Sequence, residues 1–299
     1  SAFKLFTTAM ALDSGTVGLK DGYDTSKPIK ISRFTIKDYH GKNRWLSVPE
    51  ILVYSSNIGA AKMSMDVGAK AQKFYLDQLG LLQPSSIELP EVGKPQYPSR
   101  WGDISTMTIS YGHGISVSPL QLAGAVGTLV NGGKRIPLSL LKHRSLEPPI
   151  GTRVLTEKTS LQMRELMHLV VTNGTGKKAA APGYLVGGKT GTAEKQVNGG
   201  YNKQSLRSSF VGAFPINKPR FVILAMLDEP KGTKRTSNYA TGGWVAAPII
   251  SRMVSRMASL LGMLPRSKEN PGNELKGVKP RTASLSIQSM GGGYYSAAF

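Results

Sequence analysis

The sequence predicts an α+β fold in which an antiparallel sheet is flanked by helices, and three observations support this prediction. Runs with helical hydrophobic spacing recur through the first 180 residues. Three strand-sized segments then follow one another, joined by short links rich in turn-forming residues. A further helical run comes after them. Helices first, a late meander and a closing helix are typical of α+β layer architectures.

The predicted helices are placed by spacing and by capping residues. Residues 1–12 form a buried helix in this interpretation, since good helix formers dominate and residues 13–15 (DSG) end it. A second helix begins after Ser47, where a Ser-x-x-Glu pattern with an early proline is typical of a capping box. Further helices are predicted over residues 58–66, 71–79, 119–130 and 156–172. Between the first two helices, residues 13–46 are predicted to be mainly loops.

The predicted sheet lies late in the chain. Its strands are expected over residues 184–192, 206–214 and 220–228, and the closing helix over 244–261. Residues 1–265 are expected to form one domain. Residues 266–299 are rich in Ser, Gly, Lys and Pro, and are predicted to be a disordered tail.

Composition excludes several classes of function. The chain has 299 residues and no cysteine, which excludes disulfides, thiolate metal sites and cysteine nucleophiles. Its formal charge is +20, but it carries no zinc-finger, RNP or helix-turn-helix signature, so we predict no nucleic-acid partner. The four histidines include no metal-spaced helical pair, and we predict no metal and no other cofactor. No apolar run approaches the ~20 residues of a membrane span.

The first motif that can carry chemistry is Ser1 followed by Lys4. On a helix these residues share one face, and a neutral lysine could accept the proton of the serine hydroxyl. The lysine is neutral only if burial or a nearby positive charge lowers its pKa. The pattern is weak alone, as a second copy at residues 139–142 (SLLK) shows, although the apolar flanks of that copy favour a strand.

Two further motifs supply polar groups of the right kinds. Ser55 could relay a proton between Lys4 and a leaving group, and Asn57 could bind a substrate amide while it holds Lys4. At the end of a predicted strand, Lys189 and Thr190 offer charge and a hydroxyl to a carboxylate. Residues 191–192 (GT) would let an extended peptide lie along the strand, with the Thr192 hydroxyl as a further carboxylate ligand and its N–H as an oxyanion donor.

The order Ser-x-x-Lys, Ser-x-Asn, Lys-Thr-Gly is a known signature of β-lactamases and penicillin-binding proteins. Over about residues 1–264 the sequence resembles the class B penicillin-binding proteins, and among them the division-type peptidoglycan D,D-transpeptidases of the FtsI family. Residues 110–122 (SYGHGISVSPLQL) resemble the stretch before a long helix in that family, and Gly-His-Gly is closer to the division type than to the elongation type. Residues 209–212 and 243–248 resemble the strand beside Lys-Thr-Gly and the start of the closing helix.

The resemblance implies a serine β-lactamase/D,D-peptidase-like fold, with the N-terminal strands of the sheet missing here. It implies acyl transfer in two steps. Ser1 attacks the penultimate D-Ala of a peptidoglycan stem peptide, terminal D-Ala leaves, and an amine of a neighbouring stem resolves the acyl-enzyme. Lys4, Ser55, Asn57 and Lys189 would be catalytic, and Thr190, Gly191 and Thr192 would bind substrate.

The resemblance also implies partners and a location. β-Lactam antibiotics would trap Ser1, and a lipid-linked precursor would supply substrate. Division proteins would bind through missing regions, and an N-terminal anchor absent from this chain would hold the protein at the periplasmic face of the bacterial inner membrane. In the family, the amide of this serine is an oxyanion donor, whose loss costs about 10²–10³ in rate. We therefore expect the 299-residue chain alone to be inactive or poorly folded, with a bare sheet edge.

Four alternatives remain open at this stage. A β-lactamase shares the three motifs, but no Glu-x-x-Leu-Asn segment lies between Asn57 and Lys189. A D,D-carboxypeptidase would differ only in accepting water instead of an amine. A non-catalytic β-lactam sensor domain would keep the acylation machinery alone. A chain that begins with serine also fits an N-terminal-nucleophile hydrolase, whose α-amine is the base.

Overall fold

The structure is a computed structural model that describes residues 1–32, 34–142, 149–197 and 200–266. Its helices are α1 (Lys4–Asp13), α2 (Val48–Val53), α3 (Asn57–Val67), α4 (Ala69–Gln78), α5 (Asp103–Ile109), α6 (Pro119–Val130), α7 (Glu157–Asn173), α8 (Gly242–Val245) and α9 (Ala247–Leu260). Its strands are β1 (Gly22–Asp24), β2 (Ile29–Ile31), β3 (Phe34–Ile36), β4 (Trp45–Ser47), β5 (Lys134–Arg135), β6 (Thr152–Arg153), β7 (Gly187–Val197), β8 (Gly200–Phe214) and β9 (Phe221–Asp228).

The main sheet is antiparallel, and helices cover both of its faces. Strand β8 lies between β7 and β9. Because side chains alternate along a strand, Val211 and Ala213 join a core that includes Leu166 of α7. Phe210 and Phe214 of the same strand pack with Ile250 of α9 instead. The predicted α+β architecture, a sheet flanked by helices, is confirmed.

Helix α1 lies inside the protein. Its residues from Lys4 to Ala11 are all buried, and its apolar side chains share a core with residues of α6 and α7. A helix that is apolar nearly all round belongs in an interior. This position carries Ser1 and Lys4, at the start of the helix, to the junction between the helices and the main sheet.

Helices α2 and α3 are short and meet at a sharp corner. The predicted capping box begins α2: the Ser47 hydroxyl accepts from the N–H of Glu50, and the Glu50 carboxylate accepts from the N–H of Ser47. Ser56 caps α3 through its side chain, since its hydroxyl accepts from the N–H of Gly59 at 2.9 Å. Between the two helices Ser55 has a φ of 59°, in the left-handed region that residues other than glycine seldom adopt.

Several features of local structure were missed or predicted wrongly. The described residues among 13–46 are mainly loops, as predicted, but residues 22–47 also contain the antiparallel strand pairs β1–β4 and β2–β3. Their three-residue strands are too short to show an alternating pattern. Helix α5 was missed, since Gly102 gives it no side-chain cap. Residues 139–142 form no strand, and Leu140 and Leu141 are exposed.

The boundaries of the sheet and of the closing helix also differ from the prediction. Strand β7 begins at Gly187 because Tyr184 turns back to bridge Ala181. The closing helix is interrupted at Ala246, just before Pro248 enters the first turn of α9. The predicted tail, 266–299, lies outside the described residues except for Arg266. Among the described helices, none has both the length and the apolar character needed to cross a bilayer.

Candidate active site

Side chains from three separate segments of the sequence converge at the start of α1. The Lys4 Nζ donates to Ser1 Oγ at 2.8 Å, to Ser55 Oγ at 3.1 Å and to Asn57 Oδ1 at 2.7 Å. The Lys189 Nζ donates to the same Ser55 Oγ at 2.9 Å. The structure therefore brings together all five residues that the sequence singled out as catalytic candidates.

Both lysines in this cluster are removed from water. The side chain of Lys4 is 1% exposed and that of Lys189 is 0% exposed. Burial, and then the positive charge of Lys189, hold the pKa of Lys4 well below its usual value, while Asp38 acts in the opposite direction. Burial lowers the pKa of Lys189 from 10.5 to about 7. A lysine whose pKa is lowered in this way can be neutral at cellular pH and can take a proton from a hydroxyl.

Ser55 occupies the position between the two amines. Its Oγ contacts Lys4 on one side and Lys189 on the other, at 3.1 and 2.9 Å. Its left-handed backbone follows from its place in the corner between α2 and α3. Residues held in such sparsely populated conformations cluster at functional sites, where the surrounding structure maintains them.

Asn57 has its amide fixed from both ends. Its Oδ1 accepts from Lys4, and its Nδ2 donates to the carbonyl oxygen of Lys37 at 3.0 Å. The second hydrogen of Nδ2 can reach a substrate carbonyl. The orientation of this amide thus depends on the segment after β3.

The strand β7 carries the Lys-Thr-Gly motif along one wall of the cluster. The Thr190 Oγ1 lies 2.9 Å from Thr175 Oγ1 and accepts from Lys189 Nζ at 3.2 Å. The Thr192 Oγ1 accepts from the N–H of Gly242 at 3.0 Å, so one of its lone pairs already serves the contact with α8. Among the described residues, β7 pairs with β8 alone, which leaves its other edge for an added peptide.

Packing between neighbouring strands gives a second reason why residue 191 is glycine. A β-carbon at Gly191 would lie 2.5 Å from Ser209 Oγ on the neighbouring strand. The sequence had suggested close approach of a substrate as the reason for this residue. The structure adds the close contact between β7 and β8.

Sequence reasoning missed three contributors to the site. The carboxylate of Asp38 contacts the beginning of α3, Thr175 supports Thr190, and the ring of Tyr111 lies 5.9 Å from Lys4 Nζ. Tyr111 belongs to the Tyr-Gly-His-Gly stretch, and its ring lies 6.4 Å from that of His113. No sequence signal identifies Asp38, because its partners are 18 to 20 residues away.

Comparison with known proteins agrees with this geometry. The chain matches the family described as the penicillin binding protein transpeptidase domain over residues 1–255. It is 41% identical over 272 residues to the probable peptidoglycan D,D-transpeptidase FtsI of Caulobacter vibrioides, covering 88% of this chain and 46% of that protein. It is 37% identical over 268 residues to the probable peptidoglycan D,D-transpeptidase PenA of Neisseria flavescens, covering 89% and 65%. The chain therefore spans less than two thirds of either relative.

A solved structure is similar as well. The apo transpeptidase domain of penicillin-binding protein 3 from Burkholderia pseudomallei superposes with a TM-score of 0.82 at 34% identity, covering 89% of this chain and 80% of that one. The chain therefore belongs to the penicillin-binding protein transpeptidase domain family.

Proposed function

We propose that the protein is a serine D,D-transpeptidase that cross-links peptidoglycan stem peptides through an acyl-enzyme on Ser1. The observation that carries this proposal is the buried Lys4 amine, in contact with Ser1 Oγ, Ser55 Oγ and Asn57 Oδ1. The similarity to proteins named as probable peptidoglycan D,D-transpeptidases supports the same reaction.

In the first step Ser1 Oγ attacks the carbonyl carbon of the penultimate D-Ala. The hydroxyl proton passes to the neutral amine of Lys4, which lies 2.8 Å away. When the tetrahedral intermediate collapses, the bond to the terminal D-Ala breaks and its nitrogen takes a proton. Ser55 relays that proton because its Oγ touches both lysine amines.

In the second step an amine of a neighbouring stem peptide attacks the Ser1 ester. The attacking amine loses a proton to Lys4, and Lys4 passes a proton to Ser1 Oγ as the ester bond breaks. Ser1 is thus released with its hydroxyl restored. Before the first step the donor stem peptide lies in extended form along the open edge of β7, where Lys189 and Thr190 face the carboxylate of its terminal D-Ala. The N–H of Thr192 serves as an oxyanion donor, and the Thr192 hydroxyl and Asn57 are further substrate contacts.

The proposal extends to antibiotics, partners and location. A β-lactam presents a reactive carbonyl to the same hydroxyl and leaves a stable acyl-enzyme on Ser1. The protein acts in septal wall synthesis at the periplasmic face of the inner membrane, through an anchor and division-protein contacts that lie outside this chain. A lipid-linked precursor supplies its substrate, and the net charge of +20 favours such anionic molecules.

The test uses the whole gene product, with residues numbered as here. It measures the products formed from a stem pentapeptide and an amine acceptor. Cross-linked peptide together with released D-Ala is expected, and Ser1→Ala should abolish both. Ser139→Ala, in the second Ser-x-x-Lys copy, is the matched control and should leave both unchanged. D-Ala release without cross-links would instead indicate a carboxypeptidase. Rapid nitrocefin turnover would indicate a β-lactamase, and a stable acyl complex without peptide products would indicate a sensor.

A further inference from the structure

Asp38, two residues after β3, makes a dense set of contacts with the beginning of α3. Its Oδ1 accepts from the N–H groups of Asn57 and Ile58, at 2.5 and 3.0 Å. Its Oδ2 accepts from the Ser56 hydroxyl at 2.7 Å. The first N–H groups of a helix have no partner within the helix, and a carboxylate at that end also interacts favourably with the helix dipole.

The same segment determines which way the Asn57 amide points. The backbone carbonyl of Lys37, next to Asp38, accepts from Asn57 Nδ2 at 3.0 Å. If the amide turned over, two oxygens would face each other at Lys37, and an NH₂ group would face the amine of Lys4. The chain at 37–38 therefore holds Asn57 Oδ1 toward Lys4, where it accepts at 2.7 Å.

The negative charge of Asp38 also affects the pKa of Lys4. Burial, and then the positive charge of Lys189 from β7, lower the pKa of Lys4. The carboxylate of Asp38 acts in the opposite direction and holds that pKa higher than it would otherwise be. Removal of its charge should lower the pKa of Lys4 further.

We propose that Asp38 is a positioning residue of the acylation site, which holds α3 and Asn57 in the orientation that places Lys4 against Ser1. The inference rests on the proposed function, since positioning matters only if Ser1 is acylated with Lys4 as its base. Asp38 lies behind Asn57 and acts through it. A misplacement of about 1 Å in such a group can cost about 10²-fold in rate.

The experiment measures the second-order rate of acylation by a fluorescent penicillin between pH 5 and 9 in the whole gene product. Asp38→Ala loses the contacts to α3, and its rate should fall about 10²-fold. Asp38→Asn keeps an oxygen facing α3 but loses the charge. Its rate should fall less, and the acid limb of its pH profile should move to lower pH, because Lys4 loses its proton more easily. A purely structural role would not move that limb.

Asp66→Asn is the matched control. Asp66 lies near the other end of α3, where its carboxylate accepts from the Tyr23 hydroxyl at 2.7 Å. The pH profile of acylation by Asp66→Asn should follow that of the wild type. Melting temperatures identify any unfolded variant, and Asp38→Asn decides the question if Asp38→Ala fails to fold. An Asp38→Asn profile that superimposes on the wild type would overturn the inference while the proposed function stands. Absence of acylation in the wild-type protein would overturn the proposed function and this inference with it.

Discussion

Replacing Lys189 by methionine should stabilise the protein while it abolishes acylation. Lys189 is fully buried, and its amine has no carboxylate among its hydrogen-bond partners, which are Ser55 Oγ, Thr190 O and Thr190 Oγ1. Methionine has a similar length and no charge. The two hydroxyls keep other partners after the substitution, since Lys4 still contacts Ser55 and Thr175 still contacts Thr190.

The magnitude follows from the pKa of Lys189. Burial lowers it from 10.5 in the unfolded chain to about 7 in the folded protein. At 1.36 kcal/mol for each pH unit, keeping this amine protonated in the folded state costs about 5 kcal/mol. The unfolded chain binds more protons than the folded one between pH 7 and 10.5, so the free energy of unfolding rises with pH in that window. Below pH 7 the whole cost is present.

The net gain is smaller than that cost, because the hydrogen bonds of the amine are lost. Replacement of buried charged groups by apolar ones stabilises proteins by ~1–4 kcal/mol in favourable cases. Denaturant unfolding at pH 7 and at pH 9 measures this gain, which should be clearly smaller at pH 9. The exposed Lys134→Met is the control, expected to change stability by less than about 0.5 kcal/mol. A Lys189→Met variant that is less stable than the wild type at pH 7, or a gain equal at both pH values, would refute the reasoning.

Two further substitutions test the walls of the site. Gly242→Ala should destabilise the protein by ~1–3 kcal/mol and slow penicillin acylation, because its β-carbon would lie 2.3 Å from Ser209 O and 2.4 Å from Gly191 O. Gly102→Ala, which would meet no atom within 4 Å, is its control in thermal unfolding, and equal effects of the two would contradict this packing argument. Ser55→Gly should relieve the left-handed backbone and raise stability by up to ~1 kcal/mol, while acylation falls about 10²-fold. Unchanged acylation by Ser55→Gly would exclude the proton relay.

The parts of the fold that the sequence predicted are those with local signals. The capping box predicted at Ser47 begins α2, and the helix predicted over residues 119–130 is α6, which Ser118 caps. Helix α7 follows from a long amphipathic pattern. The three strands of the main sheet were predicted as strand-sized segments joined by short, turn-rich links. In each case the residues that predict the helix or strand lie within it or directly beside it.

The remaining features depend on contacts between distant segments. Helix α5 has no side-chain cap, and the paired strands of residues 22–47 are only three residues long. The role inferred for Asp38 depends on a contact with α3, across 18 to 20 residues. The close packing of Gly242 on β7 is visible only once both elements are in place. The residues of the three motifs could be named from the sequence, whereas the groups that hold them could not.

The most direct test is the mass of the whole gene product after treatment with benzylpenicillin, followed by peptide mapping. The account predicts one added penicilloyl group, located on the peptide that contains Ser1 and absent from the Ser1→Ala variant. An unmodified protein, or an adduct on Ser139 or another residue, would contradict it.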